Sequence, residues 1–398
     1  MDMQRKFVVL LLGITIGVFS GCVTGQQMAK GDSLHEEMIV FEDQETGAHN
    51  LNRPRIMISR ADGSDRRMLM KDGTHPKWFP SGDRILVFVP EYDRGWLIGS
   101  YDINGHVQPP GKSVIINLEG QIQQELPYRV TDISPDGSHL LVVKYTPKIV
   151  VGEYGLSEPT DPGGKEIAIY DLKTNSLQKV IALEDLPREW NVKSLMNAQW
   201  FPEGEKICFQ LGKSARATNQ IVQRFPYSAL GTIRSDGTAL KLLTEFPKES
   251  RDHWYWGPRE FAISPDGKKI VYIRNINEEE KTSLDSQVYV MNADGTGPLQ
   301  LTKGGRGVFG MGWKSWKSSP VWSPDGMKIL YTDNQFPTGE FHRGNMLMMM
   351  NADGTGARRV MPGGWRHVFP FPFVVESDTH ADWWAPPAQD GRRSGRPP

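Results

Sequence analysis

The sequence predicts an all-β protein, a six-bladed β-propeller of four-stranded antiparallel blades. Two observations predict it: a turn motif recurs at a nearly constant interval, and short apolar segments typical of strands flank each copy. Copies of Ser-Pro-Asp-Gly, complete or degenerate, begin at Phe79, Ser134, Phe201, Ser264, Ser323 and Ala385. Neighbouring copies start 55 to 67 residues apart, so six copies indicate six blades.

The unit around Ser264 shows how four strands are predicted in each repeat. Residues 261–263 form a short apolar strand before the turn, in which proline presets φ, aspartate bonds its own backbone and glycine accepts a positive φ. Apolar strands follow at 270–273 and 287–291. A second turn, Asn-Ala-Asp-Gly-Thr-Gly, begins at Asn292 and leads into a last strand at 299–302.

This pair of turn signatures resembles the TolB-type propeller repeat, and the resemblance covers residues 38–386. It implies radially arranged blades of four antiparallel strands. The first blade lacks a first strand of its own, whereas residues 382–386 resemble the segments that precede the other turns. We therefore expect the C-terminal strand to pair with the N-terminal blade and close the ring, which removes exposed strand edges.

The N-terminal segment reads as a targeting signal rather than as part of the propeller. Arg5 and Lys6 precede the short apolar segment 7–19, so residues 1–21 are predicted to be a signal peptide. Ser20 and Gly21 before Cys22 resemble a bacterial lipoprotein lipobox, which implies lipidation of Cys22 and attachment to the outer membrane, facing the periplasm or the cell surface. We expect residues 22–37 to be a flexible tether and residues 387–398 a disordered tail.

The net charge and the cysteine content of the chain narrow the classes of partner and chemistry that we expect. The net charge of −1 gives no electrostatic basis for binding nucleic acid, so we expect none, and membrane contact is expected through the lipid alone. Cys208 lies in an apolar strand and is predicted to be a buried thiol. The chain is expected to be monomeric.

Loop lengths single out one face of the predicted propeller. Insertions concentrate in the loops between second and third strands and between blades, which share one face, and long loops on one face of a repeat array mark a binding face. Aromatic residues are frequent there and are typical of binding hot spots, although about half of them would pack the loops onto the propeller. The tryptophans concerned are Trp96, Trp254, Trp256, Trp313, Trp316 and Trp365.

Polar residues near the start of each first strand are predicted to surround a channel mouth on that face. Counting back from each turn motif gives the candidate ligand residues His75, Arg129, Asn197, Arg259, Glu260 and His380. Arginine and histidine can receive a carboxylate or a peptide C-terminus through charge-assisted hydrogen bonds. The alternative is a solvated polar channel without a ligand.

The predicted function is non-catalytic binding or scaffolding of an envelope protein or peptide, without cofactor or metal. The chain has no Gly-x-Ser-x-Gly motif, phosphate-binding loop or Cys-x-x-Cys pair. TolB has an α/β domain before its propeller, where this chain has a short tether, so the resemblance concerns the propeller. Two alternatives stay open: a lyase resembling oligogalacturonate lyases, with a metal held by histidines, and a carbohydrate-binding protein that uses exposed tryptophans.

Overall fold

The computed structural model describes residues 36–46, 54–90, 111–145, 149–151, 157–159, 164–213, 227–247, 257–275, 286–303, 314–336, 344–360 and 375–386. These residues belong to the compact unit Leu34–Pro398. They form 26 strands and two 3₁₀ turns, Leu183–Asp185 and Arg188–Trp190. Within these ranges, no helix has the length and hydropathy that a membrane span requires.

Twenty-four of the 26 strands are described below in sets of four that follow the order of pairing, and β10 and β11 form a two-stranded sheet of their own. Set 1 contains β1 (Met38–Thr46), β2 (Arg55–Arg60) and β3 (Arg67–Lys71), together with the last strand of the chain. Set 2 contains β4 (Thr74–Trp78), β5 (Arg84–Pro90), β6 (Gly111–Asn117) and β7 (Ile122–Leu126). Set 3 contains β8 (Arg129–Ile133), β9 (His139–Tyr145), β12 (Gly164–Asp171) and β13 (Ser176–Ala182), and β10 (Ile149–Val151) and β11 (Ser157–Pro159) form a separate hairpin between β9 and β12.

The remaining sets follow the same order. Set 4 contains β14 (Ser194–Trp200), β15 (Lys206–Lys213), β16 (Tyr227–Arg234) and β17 (Lys241–Leu242). Set 5 contains β18 (Arg259–Ile263), β19 (Lys269–Asn275), β20 (Ser286–Asn292) and β21 (Leu299–Gln300). Set 6 contains β22 (Lys314–Trp322), β23 (Lys328–Phe336), β24 (Gly344–Asn351) and β25 (Arg358–Arg359). The last strand, β26 (Val375–Trp384), is the first strand of set 1.

Every set is antiparallel, and the two ends of the chain meet in set 1. β26 pairs with β1 from Met38↔Trp384 to Thr46↔Val375, the partnership expected from the sequence. The order β26-β1-β2-β3 therefore reproduces the order of the other sets, in which the first strand lies at one edge and the fourth at the other.

The number of separate sheets differs from the prediction of six. The described residues contain four separate four-stranded sheets, while sets 3 and 4 form one eight-stranded sheet. The two sets are joined by a single pair, Gly164↔Leu195. A side chain at Gly164 would prevent this approach, because a methyl group there would lie 2.5 Å from the carbonyl oxygen of Leu195.

Serine bridges the equivalent junctions elsewhere. Leu195, Pro258 and Lys317 each lie six residues before the start of the next turn motif. Ser228 Oγ donates to the Pro258 carbonyl at 2.8 Å, and Ser286 Oγ donates to the Lys317 carbonyl at 2.9 Å. Gly164 lacks the side chain that bridges these two junctions, and its absence allows the backbone pairing of β12 with β14.

The core lies between sets rather than within them. Among the described residues, six buried apolar clusters each join two consecutive sets, including set 6 with set 1. In that last junction, Ile39 and Phe41 of β1 pack with Leu330, Leu347 and Met349. Each sheet therefore buries both faces against neighbours, the arrangement of an all-β propeller.

The Ser-Pro-Asp-Gly turns contact one another in sequence. Ser264 Oγ donates to Asp266 Oδ1 at 2.7 Å and accepts the Lys269 amide at 2.8 Å, so the serine and the aspartate fix the turn. The turn glycine packs on the proline of the preceding turn: a methyl at Gly267 would lie 3.5 Å from Pro202 Cδ. The same glycine–proline contact recurs at Gly137, Gly204 and Gly326.

Candidate functional site

Buried polar side chains concentrate at one end of the strands. We call the end with the Ser-Pro-Asp-Gly turns the turn end and the opposite end, which leads into the long loops, the polar end. Buried polar residues at the polar end are Glu42, Asp43, Thr74, Ser113, Ser194, Gln210, Ser228, Arg259, Ser286, Gln287, Lys317, Ser318, Thr332 and Asp333. The turn end also has buried serines, at 134, 264 and 323, but all the buried charged residues among those described belong to the polar end. Burying charge costs free energy unless it is paired, so these residues distinguish the polar end chemically.

Buried ion pairs are part of this layer. Lys317 Nζ lies 2.6 Å from Asp333 Oδ2, with side chains only 6% and 8% exposed. Asp43 Oδ2 lies 2.6 Å from Arg55 Nη2 and 3.1 Å from Arg66 Nη2. Asp43, Lys317 and Asp333 thus each have an oppositely charged partner, as low-dielectric surroundings require.

The first strands share a β-bulge near the polar end. Register shifts occur between Thr74/Lys77, Val130/Asp132, Met196/Gln199, Arg259/Ala262 and Ser318/Val321, and set 1 has one where β26 pairs with Val40/Glu42. Four residues at equivalent bulge positions have left-handed backbones, with φ of 51° at His75, 42° at Asn197, 42° at Glu260 and 50° at Ser319. Such strained non-glycine residues cluster at functional sites, and bulges re-aim side chains.

The structure places the predicted mouth residues at these bulges. His75, Asn197 and Glu260 are left-handed bulge residues, and Arg129 and Arg259 begin β8 and β18. The sixth candidate, His380, lies in β26 beside the bulge of set 1, and its side chain lies outside the described part of the chain.

The two arginines have different surroundings. Arg259 Nε lies 4.0 Å from Glu260 Oε1, and these side chains are 7% and 16% exposed. Arg129 is half-buried, with its guanidinium carbon 4.8 Å from the centre of the Phe88 ring. Asn197 Nδ2 donates to Gln210 Oε1 at 2.9 Å. The mouth is therefore asymmetric: one arginine is paired with an acid, and the other stacks on an aromatic ring.

Side chains cross from the first strand of one set to the first strand of the next, from set 1 through to set 6, a feature that the sequence analysis missed. We call Lys77, Asp132, Gln199, Glu260 and Asp382 the axial belt. Asp382 Oδ2 accepts the Trp78 amide at 2.7 Å, which connects set 1 to set 2. Lys77 Nζ donates to Asp132 Oδ1 at 2.7 Å, which connects set 2 to set 3.

The belt continues through sets 4, 5 and 6. Asp132 Oδ2 accepts the Trp200 amide at 2.7 Å, and Gln199 Nε2 donates to the Phe261 carbonyl at 2.8 Å. Glu260 Oε2 accepts the amide of the bulge residue Ser319 at 2.6 Å. Polar residues two positions before a turn motif, as at Lys77, Asp132 and Gln199, were the available signal in otherwise apolar strands.

Electrostatics keeps the lysine of the belt charged. Burial alone disfavours the Lys77 cation, but the carboxylates of Asp132 and Asp382 outweigh it and raise the pKa of Lys77. Burial also raises the pKa of Asp382, an effect that Lys77 partly offsets. The acids of the belt act as acceptors for backbone amides and for this lysine, which gives them a structural role.

Several predicted residues lie outside the described ranges. These are Cys22, Trp96, Trp254, Trp256, Trp313 and Trp365, and Trp316 is described only as part of β22. In the ranges that the structure describes, no group of three or more histidine, cysteine or acidic side chains could hold a metal ion. His253, His342 and His367 lie outside those ranges. Cys208 is buried, and burial raises the pKa of its thiol, so it is not a thiolate nucleophile.

Comparison with known proteins supports the propeller fold and nothing about function. No family model matches the chain. Dipeptidyl-peptidase 5 of Porphyromonas endodontalis is 32% identical over 106 residues, a match that spans 26% of this chain and 13% of that relative's length. Structural neighbours include TolB and other propeller proteins.

Two of these neighbours match nearly their whole length. A TolB protein from Agrobacterium tumefaciens has a TM-score of 0.46 and 13% identity, over 87% of this chain and 99% of that chain. The periplasmic gluconolactonase PpgL of Pseudomonas aeruginosa has a TM-score of 0.43 and 14% identity, over the same shares. Similarities of this size carry no argument about activity or ligand.

Proposed function

We propose that this protein is a cell-envelope propeller that binds a protein or peptide at its polar end and catalyses no reaction. The observation that carries the proposal is the segregation of buried polar and charged side chains to the end with the long loops and the bulged first strands. Polar groups that converge at one mouth of a rigid scaffold are typical of ligand sites.

We infer that the propeller has six blades and a closed ring. The eight-stranded sheet counts as two blades, because only the Gly164↔Leu195 pair joins its halves. The apolar clusters at all six junctions support this count, and the pairing of β26 with β1 supports closure. A closed ring supplies the rigid scaffold that presents the polar end.

Binding without catalysis is favoured by how the acids near the axis are used. Asp132 and Asp382 accept backbone amides of the next set, and Glu260 accepts the Ser319 amide. Acids held in this way position strands, whereas a general acid or base has to reach a substrate atom.

The proposed location is the bacterial outer membrane, with Cys22 as the lipid attachment site and the propeller facing the periplasm or the cell surface. The signal-peptide pattern and the small residues before Cys22 support it. A lipid anchor would hold the propeller near envelope partners through the N-terminal tether.

Site-specific photo-crosslinking in the envelope tests the proposed binding end. We would place a photoreactive amino acid at Lys112 or Lys193 near the polar end, and at the exposed residues Asp266 or Met327 of the turn end as matched controls. The expected result is a discrete adduct with one protein or peptide at the polar end only. Adducts at the turn end alone, or at neither end, would contradict the proposal.

A further inference from the structure

The cations of the polar end are not equivalent, and the difference divides the mouth into two sectors. In sets 5 and 6, Arg259 adjoins Glu260 and Lys317 pairs with Asp333, and all four side chains are mostly buried. In sets 2 and 3, His75 is exposed and Arg129 is half-buried. Among the candidate ligand residues, His75 and Arg129 of sets 2 and 3 are therefore more exposed than Arg259 of set 5.

Polar contacts hold sets 2 and 3 together near Arg129. Lys77 Nζ reaches from β4 to Asp132 Oδ1 at 2.7 Å and to the Thr131 carbonyl at 3.4 Å in β8. Ser113 Oγ of set 2 accepts the Val130 amide of set 3 at 3.1 Å. Both contacts fix the start of β8, which carries Arg129, against set 2.

The register places Arg129 beside the strand that carries His75. The Arg129 guanidinium lies over the ring of Phe88, and Phe88 is the pairing partner of Thr74, the residue before His75. The guanidinium of set 3 thus reaches across the junction to the polar end of set 2. His75 itself has a left-handed backbone, which holds it at the bulge.

This arrangement suits a carboxylate. An aromatic ring under a guanidinium covers its face and leaves the in-plane N–H groups directed sideways as a fork. That fork matches the two oxygens of a carboxylate, and a neighbouring imidazole supplies a further hydrogen-bond donor.

We propose that sets 2 and 3 form a carboxylate-binding site in which Arg129 receives the two oxygens and His75 donates a further hydrogen bond. The inference rests on the proposed function, because it assigns the anchoring group of the bound peptide. That group is either a free C-terminus or an acidic side chain, since both present the same two oxygens.

Fluorescent octapeptide pools of random sequence distinguish the two sources. One pool has a free C-terminal acid and no Asp or Glu, a second has a C-terminal amide and one Asp or Glu, and a third is a neutral amide. With the full chain, polarisation should show at least one acidic pool binding about 10-fold tighter than the neutral amide. Arg129→Gln should remove this preference, and Arg129→Lys should retain part of it because charge remains without the fork.

Arg234→Gln is the matched control, since Arg234 is exposed on the turn side of set 4 beside Glu205 and Asp236. It should leave all affinities unchanged. If Arg129→Gln fails to fold, the test uses Arg129→Lys and His75→Gln instead. An unchanged preference for the acidic pools in both variants would overturn the site.

The outcomes separate this inference from the proposed function. Equal affinity for acidic and neutral pools overturns the carboxylate site while peptide binding stands. Arg129-dependent binding of trigalacturonate without binding of any peptide pool supports the site and overturns the peptide partner. Absence of binding by every pool and by trigalacturonate overturns both.

Discussion

A carboxylate with three hydrogen bonds organises the turn that begins set 3. Asp136 Oδ1 accepts Ser134 Oγ at 2.6 Å and the Ser138 amide at 3.0 Å, and its Oδ2 accepts Ser138 Oγ at 2.7 Å. These bonds lower the pKa of Asp136 to about 2. Because the folded pKa is depressed, the carboxylate stabilises the fold above its unfolded pKa, and this contribution is lost as pH falls toward 2.

Asp136→Asn should therefore lower the free energy of unfolding at pH 6 by about 1 kcal/mol, a modest value because the turn is exposed and screened. The difference from the natural protein should shrink at pH 2.5. Urea titrations at the two pH values measure it. Glu203→Gln is the control, since Glu203 occupies the same turn position without a hydrogen-bond partner among the described residues. An equal loss at both pH values would contradict the account.

For individual residues, the sequence predicts contacts between near neighbours in the chain and misses contacts between residues far apart in the chain. The turn residues were predictable because Ser134 and Asp136 are two positions apart and their chemistry is local. Asp382 and Trp78 are 304 positions apart, and no pattern in either segment predicts that the two residues form a hydrogen bond. Candidates such as Arg129 and Arg259 could be placed at the mouth by counting, whereas their different partners, Phe88 and Glu260, depend on packing.

At the scale of elements, one glycine decides whether two sheets stay separate. β12 and β14 approach closely enough to pair only because position 164 lacks a side chain. The repeat predicted four strands in each unit, since turn motifs and apolar segments recur, but it did not predict the β10–β11 hairpin. The merger was not predictable, because it depends on the distance between strands of different repeats.

Gly164→Ala should destabilise the protein by about 1–3 kcal/mol, because the added methyl would collide with Val143 and the Leu195 carbonyl. Urea unfolding would measure the loss, and faster amide exchange in β12 and β14 would locate it. Gly231→Ala should cost less, since its nearest atoms are side-chain ends at 3.1 and 3.2 Å. An equal loss of unfolding free energy in the two variants would contradict this explanation.

At the scale of the molecule, the six junctions make the sets depend on one another. β26 supplies Trp384 to the cluster between sets 1 and 2, and Ala381 and Trp383 to the cluster between sets 6 and 1. Its removal would open two junctions at once and expose the edge of β1.

A chain that ends at residue 374 should accordingly lose its cooperative thermal transition. A synthetic peptide of residues 375–386 added in trans should restore the transition, because it can pair with β1 and refill both clusters. Calorimetry measures the transition, with a scrambled peptide as the control. A truncated chain that melts like the full chain would contradict the dependence on β26.

Four turn glycines, at positions 137, 204, 267 and 326, each lie next to the proline of the preceding turn, and this arrangement sets a rule for how such a chain can change in length. A turn is positioned by the turn before it, as Gly267 is by Pro202, so inserting a residue between two turns must be absorbed before the next contact. Insertions are therefore expected away from the turn end. A propeller of this kind would gain or lose whole segments from one turn to the next. Each segment would carry a glycine that packs near the preceding turn and a proline that packs near the following turn.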